Sequence, residues 1–315
     1  MSLLEKFRLG DIRALSRIIS HVENRRDGYQ ELLGRLYDRV GTCLRIGITG
    51  PPGAGKSTLV NGLARIFLKD GKKVGIIAVD PTSPFTGGAL LGDRVRMNDL
   101  PADGSIYFRS MATRGATGGL AGATDNVAVV YDSFGFDVTL IETVGVGQVE
   151  LDIIDTCDTV TVVIVPESGD AVQTLKAGLM EIADVFCINK ADRPGAERIA
   201  ADLRMTVDTR RKTHESWDIP LVQTQAINDK GLDELYRAIH SHVDFRRADG
   251  GFDEHRRAQL ERKIRNIVKY RFQNDFLDKL AEETRFDQAI EDIRAGKTDP
   301  FKVGDMFFEE FISQK

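Results

Sequence analysis

Along the first forty residues, apolar side chains recur every three or four positions, at Ile12, Leu15, Ile18, Ile19 and Val22, then at Leu32, Leu33 and Leu36 beyond a break near Asp27-Gly28. That spacing lines one face of a helix and predicts a helical preamble. From Leu44 the pattern changes to short β-branched runs separated by longer helical stretches: Leu44 to Thr49, Lys73 to Val79, Val138 to Glu142, Thr159 to Val165, Val185 to Asn189 and Ile219 to Gln223. Strands apolar on both faces and alternating with helices predict an α/β fold with a mostly parallel central sheet. Beyond about residue 245 the strands stop. The charged segment from Asp253 to Glu283 carries Leu260, Ile264, Ile267, Val268, Phe272, Phe276 and Leu280 at helical spacing. The expected organisation is a helical extension over 1–42, an α/β domain over 43–248 and a helical appendix over 249–315.

Composition narrows the classes. With 315 residues, 42% apolar and 29% charged, the chain is long enough for a large core and is neither disordered nor membrane-like in balance. Lys+Arg 43 against Asp+Glu 48 gives a net charge of −5, which argues against a nucleic-acid or lipid binder. Cys43, Cys157 and Cys187 are isolated and odd in number, so neither a disulfide framework nor a CxxC metal site is expected. His21, His214, His240, His242 and His255 likewise lack ligand spacing. No run approaches a spanning helix, and Glu5 and Asp11 interrupt the N-terminal basic residues, so a cytoplasmic protein is expected.

Gly50-Pro51-Pro52-Gly53-Ala54-Gly55-Lys56-Ser57 fits GxxxxGK[ST], follows a predicted strand and opens a helix at Thr58. Glycines let backbone N–H groups close around a phosphate, and the helix dipole adds positive charge at the same point. Lys56 is then expected on the terminal phosphates and Ser57 on Mg²⁺, which makes this a nucleoside triphosphate site. Asn189-Lys190-Ala191-Asp192 stands at a strand end, where ligand loops of an open parallel sheet belong. A carboxylate at Asp192 can accept two parallel hydrogen bonds from guanine, whereas adenine lacks that donor edge. Taken alone the tetrapeptide is also compatible with a solvated helix cap. Gln225-Ala226, after the next strand, is placed to cover the base from the other side, although it departs from the usual Ser-Ala pair.

Glu142-Thr143-Val144-Gly145 closes another strand. Glu142 stands where many GTPases place Asp, and Gly145 can offer an N–H to a γ-phosphate. Val146 replaces the Gln that would orient the attacking water, and Gln148 lies further on, so slow intrinsic turnover is expected.

Three long stretches carry a resemblance: Val79 to Met97 (VDPTSPFTGGALLGDRVRM), Arg109 to Gly115 with Gly118-Gly119-Leu120, and Glu142 to Gln148. They resemble the MeaB/MMAA/ArgK family of SIMIBI-class P-loop GTPases, over nearly the whole chain. The resemblance implies a GTPase chaperone of adenosylcobalamin-dependent methylmalonyl-CoA mutase, acting as a homodimer through its C-terminal arm. It implies that Asp80 and Asp93 are acidic switch I residues near Mg²⁺, that Glu142 is the switch II acid, and that Asp170, Gln173 and Lys176 signal through a third switch loop. For Asp170 a helix N-cap is an ordinary alternative. The Leu260 to Leu280 stripe fits a core face or the dimer seam. Arg109 and Arg114 fit phosphate neutralisation, a partner carboxylate or, as is commoner for Arg among glycines, a solvated loop charge. Two related activities compete: a metallocentre-assembly GTPase, which normally brings a Cys/His cluster missing from this sequence, and an ArgK-type P-loop kinase, which a guanine-selective Asp192 fits poorly.

Overall fold

The computed structural model describes residues 1–80, 103–112, 119–143, 153–166, 178–211, 217–273, 280 and 284–313. Among the described residues seven strands form one sheet: β1 (Leu44–Thr49), β2 (Val74–Asp80), β3 (Ile106–Ala112), β4 (Val138–Glu142), β5 (Thr159–Ile164), β6 (Val185–Ile188) and β7 (Leu221–Gln223). Their order is β3-β2-β4-β1-β5-β6-β7, and every pairing is parallel. β1 therefore lies between β4 and β5, at the point where the chain leaves for opposite halves of the sheet. In open α/β sheets ligands bind beyond the strand C-termini at such a switch point.

Each face of the sheet carries its own apolar layer. On one, Ile46 and Ile48 of β1 and Leu140 of β4 pack with α4 (Lys56–Lys69) through Leu59, Leu63 and Phe67, and with α7 (Leu232–Ala248) through Leu235 and Ile239. On the other, Ile77, Ile141, Val162 and Phe186 meet α5 (Gly119–Phe134) and α6 (Ala196–Arg211). This second layer also takes in the N-terminal helices α1 (Leu3–Arg8), α2 (Ile12–Glu23) and α3 (Tyr29–Gly34). Leu15, Ile18, Ile19 and Val22 are fully buried, which is why their spacing was legible; Asp11 caps α2 by accepting from the Ala14 N–H at 2.9 Å.

β3 is a strand that the hydrophobic pattern did not announce, since Ile106-Tyr107-Phe108-Arg109-Ser110 alternates poorly and edges the sheet. Arg109 is correspondingly not a solvated loop charge. From β3 its Nε donates to Glu23 Oε2 of α2 at 2.9 Å, a second guanidinium nitrogen pairs with the same carboxylate, and Ser20 lies at 3.4 Å. The Glu23 side chain is 9% exposed. Arg109→Ala leaves that carboxylate without its cation and is expected to lower stability by about 2 kcal/mol, the scale of an unsatisfied buried acceptor. Urea denaturation measures this, and a loss within about 0.5 kcal/mol would return Arg109 to an ordinary surface charge.

The chain divides into two compact units, Met1–Arg257 and Ala258–Lys315. Helix α8 (Gly251–Phe272) begins in the first. Its residues Leu260, Ile264, Ile267 and Val268 are 51%, 61%, 45% and 61% exposed and form an open face, whereas Phe272 meets the Phe311 ring edge-on at 5.4 Å. Phe276 lies outside the described residues. In the second unit α9 (Thr284–Arg294) and α10 (Pro300–Ser313) are joined by Arg285 and Glu310 at 2.8 Å and by the rings of Phe286 and Phe307. Among the described residues no helix is long and apolar enough to cross a membrane.

Candidate nucleotide site

The C-terminal end of β1 runs directly into the Gly50–Ser57 loop, and α4 starts at Lys56. Gly50 has φ 140°, and a Cβ there would lie 2.2 Å from the Val163 carbonyl of β5; only glycine lets the loop leave so close to the neighbouring strand. Gly55, at φ 86°, is pressed against the Asn189 side chain, 2.4 Å from where its Cβ would be. Pro51, Pro52, Gly53 and Ala54 complete the turn, and Thr58 continues α4. Lys56 is buried, with its Nζ donating to the carbonyls of Gly50 at 2.8 Å and Pro51 at 3.0 Å. The ammonium is thus held inside its own loop by groups that a phosphate oxygen can replace.

Ser57 Oγ donates to Glu142 Oε1 at 2.7 Å. Glu142 ends β4, in register with Ile48 of β1, so the predicted pair of metal-site residues is brought into direct contact by adjacent strands. Asp80 closes β2 opposite Ala112 of β3. Asp93, Gly145, Asp170, Gln173, Lys176 and Arg114 lie outside the described residues.

Asn189 follows β6 and is buried. Its Nδ2 donates to the Ala54 carbonyl at 2.8 Å, while its Oδ1 accepts from Thr224 Oγ1 at 3.0 Å and from the Ala226 N–H at 3.1 Å. One amide therefore fastens the Gly50–Ser57 loop to the loop after β7. Thr224, which no sequence motif marks, is thereby part of this junction. Lys190 takes a left-handed conformation, φ 57°, that turns the chain, and Asp192 stands exposed in the turn that follows. Gln225 pairs with Lys230 through two backbone hydrogen bonds of 3.0 and 3.3 Å, which makes the Gln225-Ala226 segment a pinched loop.

Burial pushes the Cys43 and Cys187 thiols up to about 12 and holds Cys157 well above its ordinary range, so all three stay protonated. Among the described residues no three His, Cys, Asp or Glu side chains are arranged around a common metal position.

A phosphate-binding loop at the sheet's switch point, a Ser–Glu contact beside it and a second loop locked to it are the frame of a P-loop NTPase. The family model for "Methylmalonyl Co-A mutase-associated GTPase MeaB" matches residues 15–282. The chain belongs to the MeaB family of P-loop GTPases. A Pyrococcus abyssi protein described as a candidate GTPase is 46% identical over 312 residues, 98% of this chain and 96% of its own. GTPase ArgK of Escherichia coli (strain K12) is 32% identical over 296 residues, 89% of this chain and 88% of its own. Among solved structures, the LAO/AO transport system kinase superposes with a TM-score of 0.74 at 24% identity, over 99% of this chain and 96% of that one; this is a likeness of fold. Membership of the MeaB family makes the protein a guanine-nucleotide-binding GTPase.

Proposed function

We propose that this GTPase is a chaperone of an adenosylcobalamin-dependent acyl-CoA mutase, methylmalonyl-CoA mutase first among them, and that it gates cofactor loading and protects the mutase. The observation that supports a nucleotide-driven switch is the junction of three strand ends, where Lys56, the Ser57–Glu142 contact and the Asn189 bridge meet one loop. The family description supplies the mutase.

In this reading the N–H groups of Gly50 to Thr58 and the Lys56 ammonium bind the phosphates of GTP, and Asp192 accepts the guanine edge. Asn189 keeps the phosphate loop and the Gln225-Ala226 loop in register. The Ser57 hydroxyl and Glu142 carboxylate are hard oxygen donors 2.7 Å apart, a donor set that suits Mg²⁺. When bound, Mg²⁺ offsets phosphate charge. Asp80, Asp93 and Gly145 are the further groups that GTP would draw in, and hydrolysis would release them. A ligand shifts a conformational balance only through contacts that differ between states, so losing the γ-phosphate contacts is what frees the switch segments. Asp170, Gln173 and Lys176 would report that change to the mutase. The organisation into 1–42, 43–248 and 249–315 follows the same proposal, with the last segment as a homodimerisation arm; the open face of Leu260, Ile264, Ile267 and Val268 supports it. A cytoplasmic location is part of the reading.

Co-purification with candidate cobalamin-dependent mutases, in GDP and in a non-hydrolysable GTP analogue, tests the partner. A complex whose amount depends on the nucleotide is expected. Failure to retain any such mutase in either state would remove the chaperone role and leave the GTPase.

A further inference from the structure

We infer that the hydroxyls of Thr49 and Thr143 form a clasp that presets the contact between Ser57 and Glu142, making both threonines positioning residues for the nucleotide site. Thr49 is the last residue of β1 and Thr143 the first beyond β4; both are buried, at 0% and 4% exposure. Thr143 Oγ1 donates to Thr49 Oγ1 at 2.8 Å, and the Thr143 N–H donates to the Ile48 carbonyl at 3.1 Å. The β1–β4 ladder is thereby carried one rung past the register pair of Ile48 with Glu142. Glu142 is thus fixed on both sides, by the ladder before it and by the clasp after it.

The same two residues border the working groups. Thr49 precedes Gly50, whose carbonyl holds Lys56, and Thr143 follows Glu142, whose carboxylate takes the Ser57 hydroxyl at 2.7 Å. A hydrogen bond of that length weakens steeply when either strand end rotates its donor angle toward about 120°. Two valines would fill this buried position with no polar group to satisfy, so the hydroxyl pair is not needed to fill space. What the pair adds is direction: it locks the relative height of two strand ends that carry the phosphate loop and the switch II acid.

The inference rests on reading Ser57 and Glu142 as the magnesium site, and the experiment separates the two. Release of a fluorescent GDP analogue is followed as Mg²⁺ is titrated, in the full chain and in Thr143→Val, Thr49→Val/Thr143→Val and Thr143→Ser. Mg²⁺ should slow release from the unchanged chain. The concentration giving half of that effect should rise about tenfold in both valine variants, the equivalent of one hydrogen bond of positioning, and return to the original value in Thr143→Ser. GDP affinity without Mg²⁺ should stay within about twofold, because the loop itself is untouched. Should Thr143→Val fail to fold by orphaning the Thr49 hydroxyl, the double variant, which lacks both hydroxyls, carries the comparison. Release from the unchanged chain that ignores Mg²⁺ would overturn the magnesium reading. Normal slowing there, with a double variant that titrates like it or a serine variant as defective as valine, would overturn the clasp alone.

Discussion

Alanine in place of Lys56 is expected to cut GTP turnover by at least about a hundredfold while the protein stays folded, the scale seen when a positioned donor to developing charge is removed. The side chain is buried, yet the bonds that hold its ammonium, to the Gly50 and Pro51 carbonyls, lie within the phosphate loop and not in either apolar layer of the sheet. Those carbonyls gain access to water when the chain is shortened. The far-ultraviolet circular dichroism spectrum and the thermal midpoint should therefore change little. Because a charge aimed at the terminal phosphates acts more strongly as bonds to the γ-phosphoryl group loosen, the loss should appear in kcat and in kcat/KM together. A variant that unfolds would place Lys56 in the core, and one that hydrolyses GTP normally would remove it from the site.

Asp192→Asn should reverse base preference. The carboxylate accepts two donors from guanine, whereas the amide offers one acceptor and one donor group, which suits the 2-oxo edge of xanthine. Loss of one half of a bidentate, charge-assisted pair is worth roughly 2–3 kcal/mol, so GTP affinity should fall by about a hundredfold and that for xanthosine triphosphate should rise to exceed it. Asp192 is exposed and belongs to a turn set by the left-handed Lys190, so the change leaves the Asn189 bridge and the fold in place. Competition binding with the two nucleotides measures the ratio. An unchanged preference would mean that guanine is read elsewhere.

The parts of this molecule legible in the sequence are those whose information is local. The Gly50–Ser57 spacing predicts its own loop because glycines are required at fixed offsets, and the foreseen strands β1, β2, β4, β5 and β6 are largely buried because helices cover both faces of the sheet. The α2 stripe of Leu15, Ile18, Ile19 and Val22 is fully buried, so its period reports real packing. Contacts that join distant segments leave no such trace. Arg109 and Glu23 are 86 residues apart, and β3 edges the sheet with mixed side chains, so neither the strand nor the ion pair shows as a periodic signal. Thr224 illustrates a subtler limit: no motif marks it, yet its hydroxyl donates to the Asn189 amide that joins the Ala54 and Ala226 loops. Thr49 and Thr143 read as ordinary β-formers, and only the parallel pairing of β1 with β4 brings their hydroxyls to 2.8 Å. Leu260, Ile264, Ile267 and Val268 on α8 show the reverse case, a helical period that marks the helix but not whether its face is covered.

If nucleotide state and the mutase are coupled, the coupling must run both ways for binding, and the partner is expected to raise a slow basal rate. The most direct measurement is steady-state GTP hydrolysis by the full chain with Mg²⁺, as purified methylmalonyl-CoA mutase is added in increasing amounts. The account predicts a low rate alone and a saturable increase with mutase that Lys56→Ala abolishes. A rate that stays flat across the titration, or an increase that survives loss of Lys56, would contradict it.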